Sequence, residues 1–358
     1  MRYIGNKTKL LPFLTSTIKR LRIAPGVAHD AFAGTAAVGR ALKANGWSVH
    51  TSDLMTYSYV MQRAYVVASR LEELGRLGAV DPSIRAATLS GEPTHAIARY
   101  LSAGAAPRDG FFARNFGPAG GRMYFTDENA RQIDAARSAL HEWHCAGLIS
   151  DDAYYVFLAA IIEGADRVAN TAGVYAAFIK HWQPNALRRF DVAPELPVDS
   201  RARCEAHQAD ALDVARSLGP IDLLYVDPPY NTRQYAGYYH VPELIARGWF
   251  NGAVELRGKT GLIADEKQRS DWCSKRRAPT ALRELLSATG ARHVLVSYNT
   301  EGVISDGEFR QILKEAAVDK RVRRFTRKYK RYRADSDREG RRYKGDVVRE
   351  LLYYARLR

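Results

Sequence analysis

The sequence predicts an α/β fold in which a sheet of buried, parallel strands is interrupted by a long helical insertion. Three observations predict it. The run Ile221-Asp222-Leu223-Leu224-Tyr225-Val226 is nearly continuous in apolar residues, as a parallel strand covered on both faces must be, and it empties into Asp227-Pro228-Pro229-Tyr230. Val27 to Ala33, followed by Gly34-Thr35-Ala36-Ala37-Val38-Gly39, reads as a second strand, a tight turn and a helix running on through Ala41 and Lys43. Between these two units, residues 56–203 are mostly helical in pattern, as in Asn129 to Leu140. The expected organisation is a sheet domain of residues 1–55 and 204–358 with a lobe inserted at 56–203.

Taken in chain order, the elements suggest a nucleoside site. Gly34 lets backbone approach a ligand closely, and Phe32 precedes it in the turn. The next strand, Trp47 to Ser52, ends at Asp53, where a carboxylate can accept both hydroxyls of a ribose. Asp30-Ala31-Phe32-Ala33-Gly34 lacks the spacing of a dinucleotide loop, and no Gly-Lys-Ser/Thr follows to make an ATP-type phosphate loop. A short strand from Glu205 to Ala209 ends at Asp210, which can accept an adenine amine, cap the helix that begins at Ala211, or do both.

The two prolines after Val226 forbid both ladder pairing and helix, so the strand must end in a rigid turn with Asp227 at its head. That position is where open α/β sheets place their ligand crevices. The chemistry these residues suit is alkylation of an exocyclic aromatic amine. Such a nitrogen is a poor nucleophile because its lone pair is delocalised into the ring, so a site must accept hydrogen bonds from both N–H groups. Asp227 and the Pro228 carbonyl supply the two acceptors, Pro229 fixes the turn, and Tyr230 offers a face on which an extruded base can stack. Once the nitrogen carries a methyl it is strongly acidic, so Asp227 is expected to orient and stabilise charge rather than act as a strong base.

These motifs together resemble the DNA adenine-specific methyltransferases of the Dam-like family, and within it the FokI-methylase-like type II restriction–modification branch. The resemblance spans nearly the whole chain, in the family's order: Arg2-Tyr3-Ile4-Gly5-Asn6-Lys7-Thr8-Lys9-Leu10-Leu11, Asp30 to Thr35, Ser52-Asp53, Asp227 to Tyr235, and Val296 to Gly302. It implies a Rossmann-like S-adenosylmethionine-dependent methyltransferase sheet with a target-recognition lobe. It also implies donor contacts from Tyr3, Lys7, Asp53 and Asp227, with the Lys7 cation meeting the methionine carboxylate. Double-stranded DNA and a cognate restriction endonuclease are the implied partners of a monomer or dimer. Ala36 stands where the family usually has glycine.

Composition agrees with a nucleic-acid partner. The chain of 358 residues carries a formal net charge of +15, so it should bind polyanions with strong salt dependence. The run Lys320 to Arg333 interleaves cations with aromatics, and Asp346 to Ala355 reads as a returning strand beyond a polar loop, giving a basic C-terminal hairpin with Arg327, Lys328, Lys330 and Arg331 as candidate DNA contacts. A charge-blunted edge strand is the plainer reading of the same run. In the insertion, Ala169 to Tyr175 and Lys180-His181-Trp182-Gln183 resemble the family's recognition segment. Asn170 and Lys180 are candidates there, and Arg233 and Gln234 are candidates beyond the catalytic turn. Cys145, Cys204 and Cys273 are too scattered for a zinc site or a disulfide framework, so no metal is expected and a reducing cytoplasm, on the nucleoid, is. The competing readings are methylation of a cytosine amine or of RNA by the same pocket, and a catalytically silent DNA-binding regulator with this fold.

Overall fold

The computed structural model describes the chain apart from residues 73, 253, 264–267, 300, 301 and 331–346. Its strands are β1 (Val27–Asp30), β2 (Ser48–Asp53), β3 (Glu205–Gln208), β4 (Ile221–Val226), β5 (Leu256–Arg257), β6 (Leu262–Ile263), β7 (Ala291–Asn299), β8 (Arg323–Lys330) and β9 (Val347–Arg356). Two compact units emerge, one holding Met1–Gly5, Met55–Asp199 and Tyr235–Glu266, the other Asn6–Leu54, Ser200–Gln234 and Lys267–Arg358.

The second unit is a seven-stranded sheet in the order β3-β2-β1-β4-β7-β9-β8. The five strands from β3 to β7 run parallel, and β9 is antiparallel to both β7 and β8. This is the Rossmann-like arrangement expected. The chain winds outward from β1 through β2 to β3, then returns to place β4 on the other side of β1, so the winding reverses between β1 and β4. The apolar run of β4 is buried, as its composition requires: Leu224 and Val226 pack with Val294 and Val296 of β7 and with Leu282, Leu285, Phe309 and Leu313 from flanking helices. Its one acid, Asp222, is used at the strand's start, where Oδ2 accepts the Val27 N–H at 2.9 Å and ties β4 to β1. The predicted C-terminal hairpin forms, in a register from Arg323↔Tyr354 to Lys330↔Val347.

The first unit is helical. Its two long helices, Asp127–Cys145 and Asp151–Val168, begin at capping residues, with the Thr126 and Ser150 hydroxyls each accepting a backbone N–H from the third residue on. Their buried faces contain Ala130, Ile133, Leu140, Val156, Phe157 and Ile161. No helix among the described residues is long and apolar enough to cross a membrane. The sequence expectation gave residues 1–5 and 235–266 to the sheet domain, whereas they group with the helices. Buried polar bonds explain the difference. Arg137, 1 % exposed, donates Nε–H to the Ile245 carbonyl at 2.8 Å near the end of helix His240–Arg247, and Glu243 of that helix accepts the Thr56 and Tyr57 N–H groups at 3.1 and 3.0 Å. The Ile4 N–H donates to the Tyr239 hydroxyl at 2.7 Å. Losing either partner of such a buried bond costs about 1–3 kcal/mol, so these segments are fixed to the helices.

Candidate active site

Asp227 leaves β4 at the reversal of the winding, next to the end of β1, and is pinned there by charge. Lys7 Nζ lies 3.1 Å from Asp227 Oδ1 and also donates to Glu350 Oε1. Glu350, on β9, accepts the Ser297 hydroxyl of β7 at 2.7 Å. The three side chains are nearly closed off from solvent, Asp227 being the most accessible at 15 %. Burial raises the Asp227 pKa to about 7 against the lowering effect of Lys7, with Glu350 raising it further. For Lys7 burial disfavours the charge, but the two carboxylates outweigh it and hold the pKa above the ordinary lysine range. Pro229 and Tyr230 remain half-buried, and Tyr230 packs against the core with its other side outward.

The turn after β1 is held by two acids. Asp30 is 1 % exposed and accepts the Gly39 N–H at 3.0 Å through Oδ2, fixing the first turn of helix Ala37–Ala44. Its Oδ1 has no hydrogen-bond partner among the described residues. Burial, then the charge of Asp227, raises its pKa to about 7. Asp53 accepts the Gly34 N–H at 2.9 Å through Oδ2, with Gly34 at φ 51°. Ala36 also sits in the left-handed region, at φ 59°, ψ 16°. A Cβ there costs on the order of 1–2 kcal/mol, the physical reason a glycine would be easier at this position.

Of the other expected donor residues, Phe32 lies beside this turn, its ring edge-on to Trp272 at 4.9 Å. Asp210 caps helix Ala211–Ser217, its Oδ1 accepting the Leu212 N–H at 2.8 Å, and burial raises its pKa. Tyr3 belongs to the helical unit, in a cluster of rings with Tyr57, Tyr235 and Tyr239. Lys7 is not a surface lysine.

The expected DNA contacts divide. Arg327 and Lys328 are exposed on edge strand β8, Arg327 lying 5.9 Å from the centre of the Phe13 ring, and Lys180 and Arg233 are exposed as well. Lys330 closes the described part of β8, and Arg331, like Thr300 and Glu301 of the last motif, lies outside the described residues. Two expectations are corrected. Asn170 is fully buried, donating to the Met123 and Ile179 carbonyls at 3.0 and 2.8 Å and accepting the Gln183 N–H at 3.1 Å, so its amide organises a loop instead of reading a base. Gln234 is spent likewise, donating to the Ser270 carbonyl at 3.1 Å and accepting the Ser270 N–H at 2.8 Å. Two residues were missed, Asp30 and Glu350. The signal for Glu350 was faint: one acid beside the apolar run Leu351-Leu352-Tyr353 of a strand.

A winding reversal flanked by Asp30 and Asp227, a glycine turn held by Asp53, and an Asp-Pro-Pro-Tyr exit from β4 define a Rossmann-like methyltransferase acting on an amino nitrogen. The family model for "D12 class N6 adenine-specific DNA methyltransferase" matches residues 3–312. The chain belongs to that family, whose reaction is methylation of adenine N6 in DNA. It is 34 % identical over 358 residues to the type II methyltransferase M.NlaIII of Neisseria lactamica, covering 99 % of this chain and 98 % of that protein. It is 30 % identical to the modification methylase StsI of Streptococcus sanguinis and to the type II methyltransferase M.FokI of Planomicrobium okeanokoites, covering 51 % and 52 % of their lengths. The chain therefore spans about half of those two relatives and nearly all of the Neisseria enzyme.

Proposed function

We propose that this protein is a site-specific modification enzyme that flips adenine out of double-stranded DNA and methylates its exocyclic amine with S-adenosylmethionine as donor. The observation that carries the reading is Asp227 held between Lys7 and the strand end, in reach of solvent, beside a second buried acid with an unpartnered oxygen. The donor fits these residues. Lys7 is outnumbered by Asp30, Asp227 and Glu350, and burial raises the pKa of both aspartates toward neutrality. A ligand bearing positive charge beside them relieves that cost.

In this reading Asp227, with the charge of buried Asp30 behind it, faces the cationic end of the donor, Asp53 the ribose, and Asp210 and Phe32 the purine. The donor contributes an electrophilic methyl on sulfur. Asp227 and the Pro228 carbonyl accept the two amine N–H groups, which localises the lone pair for in-line attack. As the N–C bond forms and the C–S bond breaks, the nitrogen becomes cationic, and its proton passes to water or to Asp227. Lys7 keeps Asp227 oriented, a role that accounts for its pairing better than contact with the donor's carboxylate. Tyr230 stacks on the flipped base, while Arg233, Lys180 and the exposed face of β8 follow phosphates. By likeness to type II enzymes, a cognate endonuclease is the partner to seek.

Transfer of labelled methyl from S-adenosylmethionine to duplex DNA tests the reading. Wild type should label DNA, Asp227→Ala should not, and digestion to nucleosides should release N6-methyl-2′-deoxyadenosine. Label in N4-methyl-2′-deoxycytidine, label only in RNA, or DNA binding without label would each establish a competing reading.

A further inference from the structure

One face of the sheet carries a row of side chains that methyl transfer does not use. His29 on β1 is paired in register with His50 on β2, and His50 with Glu205 on β3. His207 lies two residues beyond Glu205, so the strand's period of two returns it to the same face. There His50 Nδ1 is 3.3 Å from His207 Nε2 and 3.8 Å from Glu205 Oε2. One ligand atom from each of the three lies within 4.8 Å of the others.

We propose that His50, Glu205 and His207 form a binding site for a borderline divalent cation such as zinc, which clamps edge strand β3 to β2. Zinc bonds imidazole nitrogen at about 2.0–2.1 Å, so two nitrogens in a tetrahedral shell stand about 3.4 Å apart. The two nitrogens already stand 3.3 Å apart, and with the ring centroids at 5.6 Å they face each other head-on, so each ring turns to share an ion. Glu205 completes a set of two imidazoles and one carboxylate, leaving a fourth position for water, a combination suited to zinc over magnesium or calcium. The site is half-buried, open enough for an ion to enter. The other Glu205 oxygen lies 3.6 Å from the exposed Arg203 Nε, a loose surface pair. Without an ion the same two nitrogens share a hydrogen bond, and Glu205 pairs with His50 and Arg203.

The position gives the ion a structural task. β3 is four residues long and, among the described residues, pairs only with β2. The donor-side acids Asp53 and Asp210 follow within three residues of His50 and His207. A cross-link here fixes the spacing of the two strand ends. Full-length protein, stripped with a chelator and dialysed, should take up one equivalent of zinc in calorimetry and show the visible absorption of tetrahedral cobalt when given Co²⁺. His50→Ala and His207→Ala should each weaken zinc binding at least tenfold. Glu205→Gln, the variant least disturbing to folding, should weaken it less and alter the cobalt spectrum. Absence of stoichiometric uptake by wild type, or unchanged uptake and spectrum in the His50→Ala/His207→Ala double variant, would overturn the proposal.

Discussion

Two turns were marked in the sequence as places where polar side chains meet DNA, the one headed by Asp227 and the one containing Asn170, and they proved to be opposites. Asn170 donates both amide N–H groups and uses its carbonyl oxygen within its own unit. Nothing in that arrangement calls for a ligand. Asp227 is held by an ion pair that leaves it 15 % accessible and with its pKa raised. A satisfied buried amide organises a fold, whereas a cluster of buried acids with too little positive charge is an unfinished interaction that a cationic ligand completes.

The largest effect that could break this contrast is at Asp227. Asp227→Ala should lower methyl transfer by about 10²–10³-fold, the scale for removing a group that meets developing charge, with the far-ultraviolet circular dichroism unchanged. Activity within tenfold of wild type would remove Asp227 from the chemistry. Next is the cation that pins it. Lys7→Met leaves Asp227 and Glu350 buried without a counter-charge and should cost about 3 kcal/mol in chemical denaturation. Adding Glu350→Gln to Lys7→Met should recover part of that loss but not the activity.

Asn170→Ala should destabilise by about 2 kcal/mol through its stranded backbone partners, while sequence preference and transfer per folded molecule stay as in wild type. A relaxed recognition sequence would restore Asn170 as a reader of bases. Smaller again is the pH effect. Asp30 and Asp227 have folded pKa values near 7, above those of an unfolded chain, so the stability they confer is fully present below about pH 4 and lost as pH rises through 7. A cationic donor binds the ionised form and reverses the sign. Its affinity should rise about tenfold between pH 6 and pH 8, worth about 1.4 kcal/mol, for each of the two acids that must ionise, and Asp30→Asn should make the titration shallower. A flat titration in wild type would show that the donor does not meet these acids. The smallest change is Ala36→Gly, which should raise stability by at most about 1 kcal/mol, since relief at φ 59° is offset by the freedom glycine gains when unfolded.

Much of the fold was legible because its signals are local. The apolar run before Asp227, the glycine turn after β1 and the acids at strand ends are short patterns whose meaning follows from backbone sterics and burial. The interleaved charges of β8 likewise marked a hairpin. The division into units was less legible, since residues 235–266 join the helices through Arg137 and Glu243, polar residues whose partners lie about a hundred positions away or more. Asn170 misled because a small amide near a turn looks the same whether it faces solvent or supports the chain.

The sequence alone determined that a strand must stop at Asp227, since proline can neither pair nor continue a helix, and that the molecule would seek polyanions, since charge is additive along a chain. Only the tertiary structure decided which charges meet: Lys7 with Glu350 across 343 positions, and His50 with His207 across 157. Such meetings depend on strand order and register, and these are set by packing the whole sheet at once, not by any stretch of residues within it.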